Sequence, residues 1–203
     1  MSFCGKKHSD QERASSRRKQ VLDAAECCFG RSGFHGASMA EISKAAGMSA
    51  GHIYNYFDSK DDIIAAFVQQ NMDRVSAIMR DLEQQDDPLQ AVLDAIEDHV
   101  REALDPCIWK LPLEIYAEAS RNPKIAQLVQ QADQHSRAQF VAILKAGREA
   151  RGLATDGAIL DSRCDVLIAI FEGLPLRALH HPSLNEAAVA AAVRLAVAPL
   201  LFG

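Results

Sequence analysis

Apolar residues recur along this chain at helical spacing, and no stretch alternates with the period of two that a half-buried strand requires. Val21, Ala25, Cys28 and Phe29 stand at i, i+4, i+7 and i+8 and predict a helix from Arg13 to Ser32. Gly33 ends that helix, and Phe34 can fold back onto its last turn. Ser59 with Asp62 predicts the cap of a longer helix carrying Ile64, Phe67, Val68, Met72, Val75, Met79 and Leu82. Asp87-Pro88 opens another, with Leu89, Val92, Leu93, Ile96, Val100 and Ala103 in helical register. Cys107–Arg121 follows, interrupted near Pro112, then a long helix from Pro123 to about Arg151, closed by Gly152. The last third predicts a helix over Ala158–Leu179, bent at Gly173-x-Pro175, and one from the capping box Ser183…Glu186 to Leu201. The pattern predicts an all-α chain of about nine helices.

The stretch Ser38–Lys60, SMAEISKAAGMSAGHIYNYFDSK, reads as two short helices around one tight turn. Ser38 and Glu41 make a capping box, in which the hydroxyl accepts a first-turn N–H and the carboxylate reaches back. Gly47 stands where a helix ends in a left-handed residue, and Ser49 can cap a second helix through His52–Phe57. Ile53 and Phe57, four apart, both point at the core; His52, Asn55 and Tyr56 are left outside, with Tyr54 at the edge. An ordinary helical hairpin with packed aromatics is the alternative. Two Tyr and a Lys so close together argue against it, since a core seldom holds them. The order Gly-Met-Ser-x-Gly-x-Ile-Tyr-x-Tyr-Phe-x-Ser-Lys resembles the DNA-binding domain of the TetR family of bacterial transcriptional regulators, over about Arg13–Phe67.

That resemblance implies a three-helix, helix-turn-helix head whose second motif helix enters the major groove of double-stranded DNA. It places Tyr54, Tyr56 and Lys60 on phosphates, with Ser38 doing the same at the opening of the first motif helix. Ala50, Gly51, His52 and Asn55 then face base edges: Asn55 suits adenine, Ala50 a thymine methyl, and His52 can donate or accept. It further implies a helical body that binds a small-molecule effector and makes a homodimer. The expected division is a flexible arm over 1–12, the head over 13–58, and the body over 59–203.

Charge sharpens this picture. The 203 residues carry a formal net charge of −5, which at first sight disfavours a nucleic-acid partner. Residues 1–60 nevertheless hold nine Lys/Arg against six Asp/Glu, and the remainder thirteen against twenty-one. A basic head on an acidic body suits a protein that approaches phosphate with one end. Lys6, Lys7, Arg13, Arg17, Arg18 and Lys19 would add long-range attraction. The N-terminus lacks an apolar signal core and no membrane-spanning run is present, so a cytoplasmic protein is expected. The five cysteines and seven histidines show no metal spacing, and neither a cofactor motif nor a nucleophile motif is present. The cysteines read as reduced thiols, and His180-His181 as a helix end.

In the body, the segment CIWKLPLEIYAEAS holds Trp109 and Tyr116, with Glu114 and Glu118 one turn apart. Together with Met72, Met79, Phe140 and Phe171 these are candidate walls of a cavity for a cationic or aromatic compound, although core packing explains any one of them. The Ala-rich last helix, with Val189 and Val193, and the helix before it are candidate dimer elements. The expected function is a ligand-responsive repressor that releases a palindromic operator. An activator or ligand-independent regulator is the alternative, and a helical enzyme or adaptor the reading from another class. The signal is expected to pass through the helix beginning at Ser59.

Overall fold

A computed structural model describes residues 4–203, with side chains from Glu12 onward. Ten helices are present among the described residues, and no strand. They are α1 (Cys4–Gly36), α2 (Met39–Ala45), α3 (Ala50–Ile53), α4 (Lys60–Glu83), α5 (Pro88–Asp94), α6 (Ile96–Leu104), α7 (Pro106–Ala119), α8 (Pro123–Ala150), α9 (Gly157–His180) and α10 (Glu186–Phe202). None of these helices is long and apolar enough to cross a membrane. The chain divides into two compact units, the first formed by the chain up to Gln69 together with Leu111–Val129, the second by Gln70–Lys110 and Gln130–Gly203. The segment Leu111–Val129, expected in the body, thus groups with the head, and the division of α7 falls beside Pro112.

In the first unit, α1 begins at Cys4 rather than Arg13, because neither glycine nor proline stands between Lys6 and Phe29 to stop it. The expected arm is therefore largely helix; Met1–Phe3 and the side chains of Lys6 and Lys7 lie outside the described residues. Gly33 breaks α1 with φ of +70°, and Phe34 then packs on Phe29 with ring centroids 5.6 Å apart. Val21, Ala25, Cys28 and Phe29 are buried as the spacing predicts, together with Ile42, Ile53 and Phe57. Ser38 and Glu41 make the full capping box, and Ser59 with Asp62 opens α4. Tertiary hydrogen bonds fasten α1 to the motif: Gln20 Nε2 donates to the Ala46 carbonyl at 2.6 Å, at the end of α2.

The second unit is built around Leu89, Ile96, Val100, Leu144, Leu167, Val193, Val197 and Leu201, all buried. The single run expected over Leu89–Ala103 is two helices, α5 and α6, meeting at Ala95. No sequence signal marks that joint. The cap of α10 is Asn185, whose side chain accepts the Ala188 N–H at 2.9 Å, and not the Ser183…Glu186 box. Asn is as good a cap as Ser, and it frees Glu186 to meet Arg101 at 3.3 Å. Gly147 lets α8 touch α5: a Cβ there would lie 2.7 Å from Leu89 Cγ. Arg148, almost fully buried, donates to the carbonyls of Ala154, Leu201 and Gly203 and so fixes the chain end. Val193 lies in this core and Val189 packs against it, so neither is the free surface position that a dimer contact was expected to use.

Candidate nucleic-acid interface

The motif sorts most of its residues as the spacing predicts, with the two tyrosines exchanged: Tyr54, expected at the edge, is exposed, and Tyr56, expected outside, is half-buried. Ile53 and Phe57 are buried, while Ala50, Gly51, His52, Tyr54 and Asn55 are exposed, and Tyr56 is half-buried. The second motif helix is shorter than expected: α3 covers four residues, and the chain continues to Phe57 as helical turns. Tyr56 N–H bonds the Ile53 carbonyl at 3.0 Å, an i to i−3 bond that tightens the turn. The Ser49 side chain makes no cap bond. Gly47, at φ of +63°, supplies the left-handed turn between the helices.

Two basic residues hold this surface in ways the sequence does not announce. Lys60 Nζ donates to the carbonyls of Phe34 and Ala37 at 2.6 and 2.7 Å and lies 4.5 Å over the Phe34 ring. It therefore satisfies orphan carbonyls at the end of α1, with one of its three N–H groups left over. Arg18 donates to the Tyr56 carbonyl at 3.0 Å and stacks 4.1 Å over Phe57. Read in sequence as part of a diffuse basic patch, Arg18 is a clip on the motif's end. Only its i+4 neighbourhood was legible there; the contact spans 38 residues. Ser38, exposed, directs its hydroxyl to Glu41, whose carboxyl is held below the usual range by the hydrogen bonds from the Ser38 backbone and side chain. Tyr56 Oη stands 3.3 Å from His52 Nε2, the rings crossing at 69°.

Glu114 and Glu118 belong to this unit, not to an open cavity. Glu114 accepts the Phe34 N–H, and Glu118 is 3.0 Å from His35 Nε2 and 2.9 Å from Arg121 Nε. Asn122 donates to its other oxygen at 3.1 Å. Burial pushes the Glu118 carboxyl up, but the bonds from Arg121 and Asn122 and the nearby His35 outweigh that and hold it below the usual range. Both carboxylates are thus engaged at the end of α1, which corrects the expectation that they await a cationic ligand. Tyr116, half-exposed, is in the same unit. Met72, Met79, Trp109, Phe140 and Phe171 lie in the second unit, so the expected lining is not one cluster within either unit. Phe140 is core, and Met79 and Phe171 pack against it. The buried indole N–H of Trp109 has no partner among the described residues.

Chemistry elsewhere is sparse. Among the described residues no group of His, Cys, Asp and Glu could hold a metal ion. Cys28 and Cys164 are buried free thiols, the latter pushed up to about 11 by burial, while Cys27 and Cys107 are exposed. His180 ends α9, as expected.

Comparison with known proteins gives this surface its context. Residues 21–67 match the N-terminal domain described as "Bacterial regulatory proteins, tetR family", and residues 86–201 match "BetI-type transcriptional repressor, C-terminal". The HTH-type transcriptional regulator UidR of Escherichia coli is 33% identical over 119 residues, 59% of this chain and 60% of that protein. The chain thus spans about three fifths of the length of the curated relatives it matches first. Salmonella enterica GusR has a similar structure, with a TM-score of 0.74 and 26% identity over 92% of this chain and 95% of that one. Bacillus subtilis FadR in complex with stearoyl-CoA has a TM-score of 0.73 and 19% identity over 90% and 97%, a likeness of fold alone. The family consists of transcriptional regulators, which removes the enzyme reading. With one profile on its helix-turn-helix and another covering more than half of its length, the chain belongs to the TetR family of bacterial transcriptional regulators.

Proposed function

We propose that this protein is a repressor that binds a roughly palindromic operator as a two-fold dimer and releases it when a small molecule occupies the helical body. The observation that carries the reading is the exposed strip Ala50, Gly51, His52, Tyr54 and Asn55, anchored from beneath by Ile53 and Phe57. In this reading Ala50, Gly51, His52 and Asn55 face bases, and Ser38, Tyr54, Tyr56 and the spare N–H of Lys60 hold phosphates. Met72, Met79, Trp109, Phe140 and Phe171 remain candidates for the effector's surroundings, Trp109 because its indole N–H is an unused donor.

The dimer surface proposed is the outer side of α9 and α10. Ile159, Val166 and Leu195 are 53%, 47% and 78% exposed, an unusual load of large apolar side chains for a surface. Leu200 joins Ile159 and Val166 in lining a shallow groove there. A single motif reads one half-site, so a second copy accounts for both the apolar face and the palindrome.

The test is a gel shift on the duplex upstream of the protein's own gene, with sedimentation of the same samples. The wild type should be a dimer that retards this duplex. Ile159→Glu and Leu195→Glu should be helical monomers with operator affinity reduced about tenfold or more. A dimeric Ile159→Glu/Leu195→Glu variant with unchanged affinity would overturn the assignment of this face.

A further inference from the structure

Tyr56 stands one helical turn beyond His52, and the two side chains meet. The Tyr56 hydroxyl is 3.3 Å from His52 Nε2, and the ring centroids are 5.4 Å apart in an edge-to-face arrangement. Tyr56 is itself held: its carbonyl accepts from Arg18, which also stacks on the neighbouring Phe57. His52 is exposed on the strip that faces bases in the reading above, on which this inference rests.

Imidazole is ambiguous as a reader of bases, because its neutral ring carries one donor and one acceptor that exchange places between tautomers. A hydrogen bond to one ring nitrogen removes that ambiguity for the other. A phenol O–H is the stronger donor of this pair, and an unprotonated imidazole nitrogen the stronger acceptor. With Tyr56 donating to Nε2, the proton of His52 sits on Nδ1, and the ring offers DNA a donor only.

We propose that Tyr56 is a positioning residue for sequence specificity: it locks His52 as an Nδ1–H donor, so that His52 selects guanine. Guanine offers a donor two adjacent acceptors in the major groove, N7 and O6, whereas adenine sets its N7 beside the N6 donor, thymine sets O4 beside its methyl group, and cytosine presents the N4 donor alone. Tyr56 thereby acts on base choice through His52, separately from any hold on phosphate.

The experiment selects duplexes from a randomised double-stranded library with wild-type protein. It then measures affinity for the preferred duplex and for duplexes changed at one base pair per half-site. Wild type should prefer guanine at one position by about tenfold. Tyr56→Phe, which removes one oxygen and keeps the ring, should bring that ratio to within about twofold, as should His52→Ala, and the double variant should add nothing further. His52→Gln, whose amide both donates and accepts, should move the preference to adenine. If Tyr56→Phe weakens both duplexes equally and leaves the ratio intact, Tyr56 only holds phosphate and the proposal falls. A guanine preference that survives His52→Gln overturns the tautomer. A wild type that selects no sequence instead overturns the base-facing reading of α3 itself, an outcome distinct from the other two.

Discussion

Lys60 joins two kinds of work that are usually separate. Its ammonium closes the end of α1 through two charge-assisted bonds, and the same group carries one further N–H at the edge of the surface proposed to face DNA. Lys60→Ala should therefore lower stability by about 1–3 kcal/mol, seen as an earlier thermal transition. If the spare N–H holds a phosphate, the slope of log affinity against log salt should also fall by about one. Loss of stability with an unchanged salt slope would leave Lys60 a purely structural clip. The motif residues around it were legible because burial there follows the helical period: Ile53 and Phe57, four apart, inside, His52 and Asn55 outside. Neither the Lys60 contacts nor the Arg18 clip were legible, since each joins residues more than twenty positions apart. Spacing rules speak only for neighbours on one helix.

Helices α4, α7 and α8 each begin in one compact unit and end in the other, which the hydrophobic pattern does not reveal. Periodicity located them to within a few residues because Pro88, Pro123 and Gly152 mark ends that any helix must respect. It failed where the chain has no such mark, at the α5–α6 joint, and where two caps compete, at Asn185. Glu114 and Glu118 were misread for a related reason. Their spacing gives a shared face of α7, but not what that face meets. The end of α1 meets it, through Phe34 and His35. Packing between helices is the other property that spacing leaves out, and Gly147 shows its size. Leu89 is fully buried, so a methyl group 2.7 Å from its Cγ cannot be relieved by swinging into solvent. Gly147→Ala should cost about 1–3 kcal/mol by overcrowding, despite the better helix propensity of alanine. Combining it with Leu89→Ala should give less than the sum of the two single losses in chemical denaturation; simple additivity would mean the helices part elsewhere.

At the scale of the whole molecule, release of DNA by an effector is a linkage between two sites. The effector can shift operator affinity only by its differential affinity for the two states. Typical coupling of about 1–3 kcal/mol would lower operator affinity by about 5–150-fold. Continuous helices would give such a signal a covalent route: α4 carries Lys60 at its start and Met79 in its later turns, against the second unit's core. We propose α7 as a second route, because its second half grips the end of α1 through Glu114 and Glu118. Trp109, near the start of the same helix, is half-buried and is the chain's only tryptophan, so its emission reports on α7 without a label. Titrating candidate effectors against wild-type protein, free and bound to operator, should give a fluorescence change at lower effector concentration in the free protein. The ratio of the two effector affinities must equal the factor by which saturating effector weakens operator binding, since the coupling free energy is one quantity read from two sides. Glu118→Gln weakens the grip of α7 on α1 while leaving the second unit's side chains in place, so it should reduce that common factor with effector affinity for the free protein unchanged. A factor that stays at its wild-type value in Glu118→Gln would remove α7 from the route and leave α4 to carry the signal.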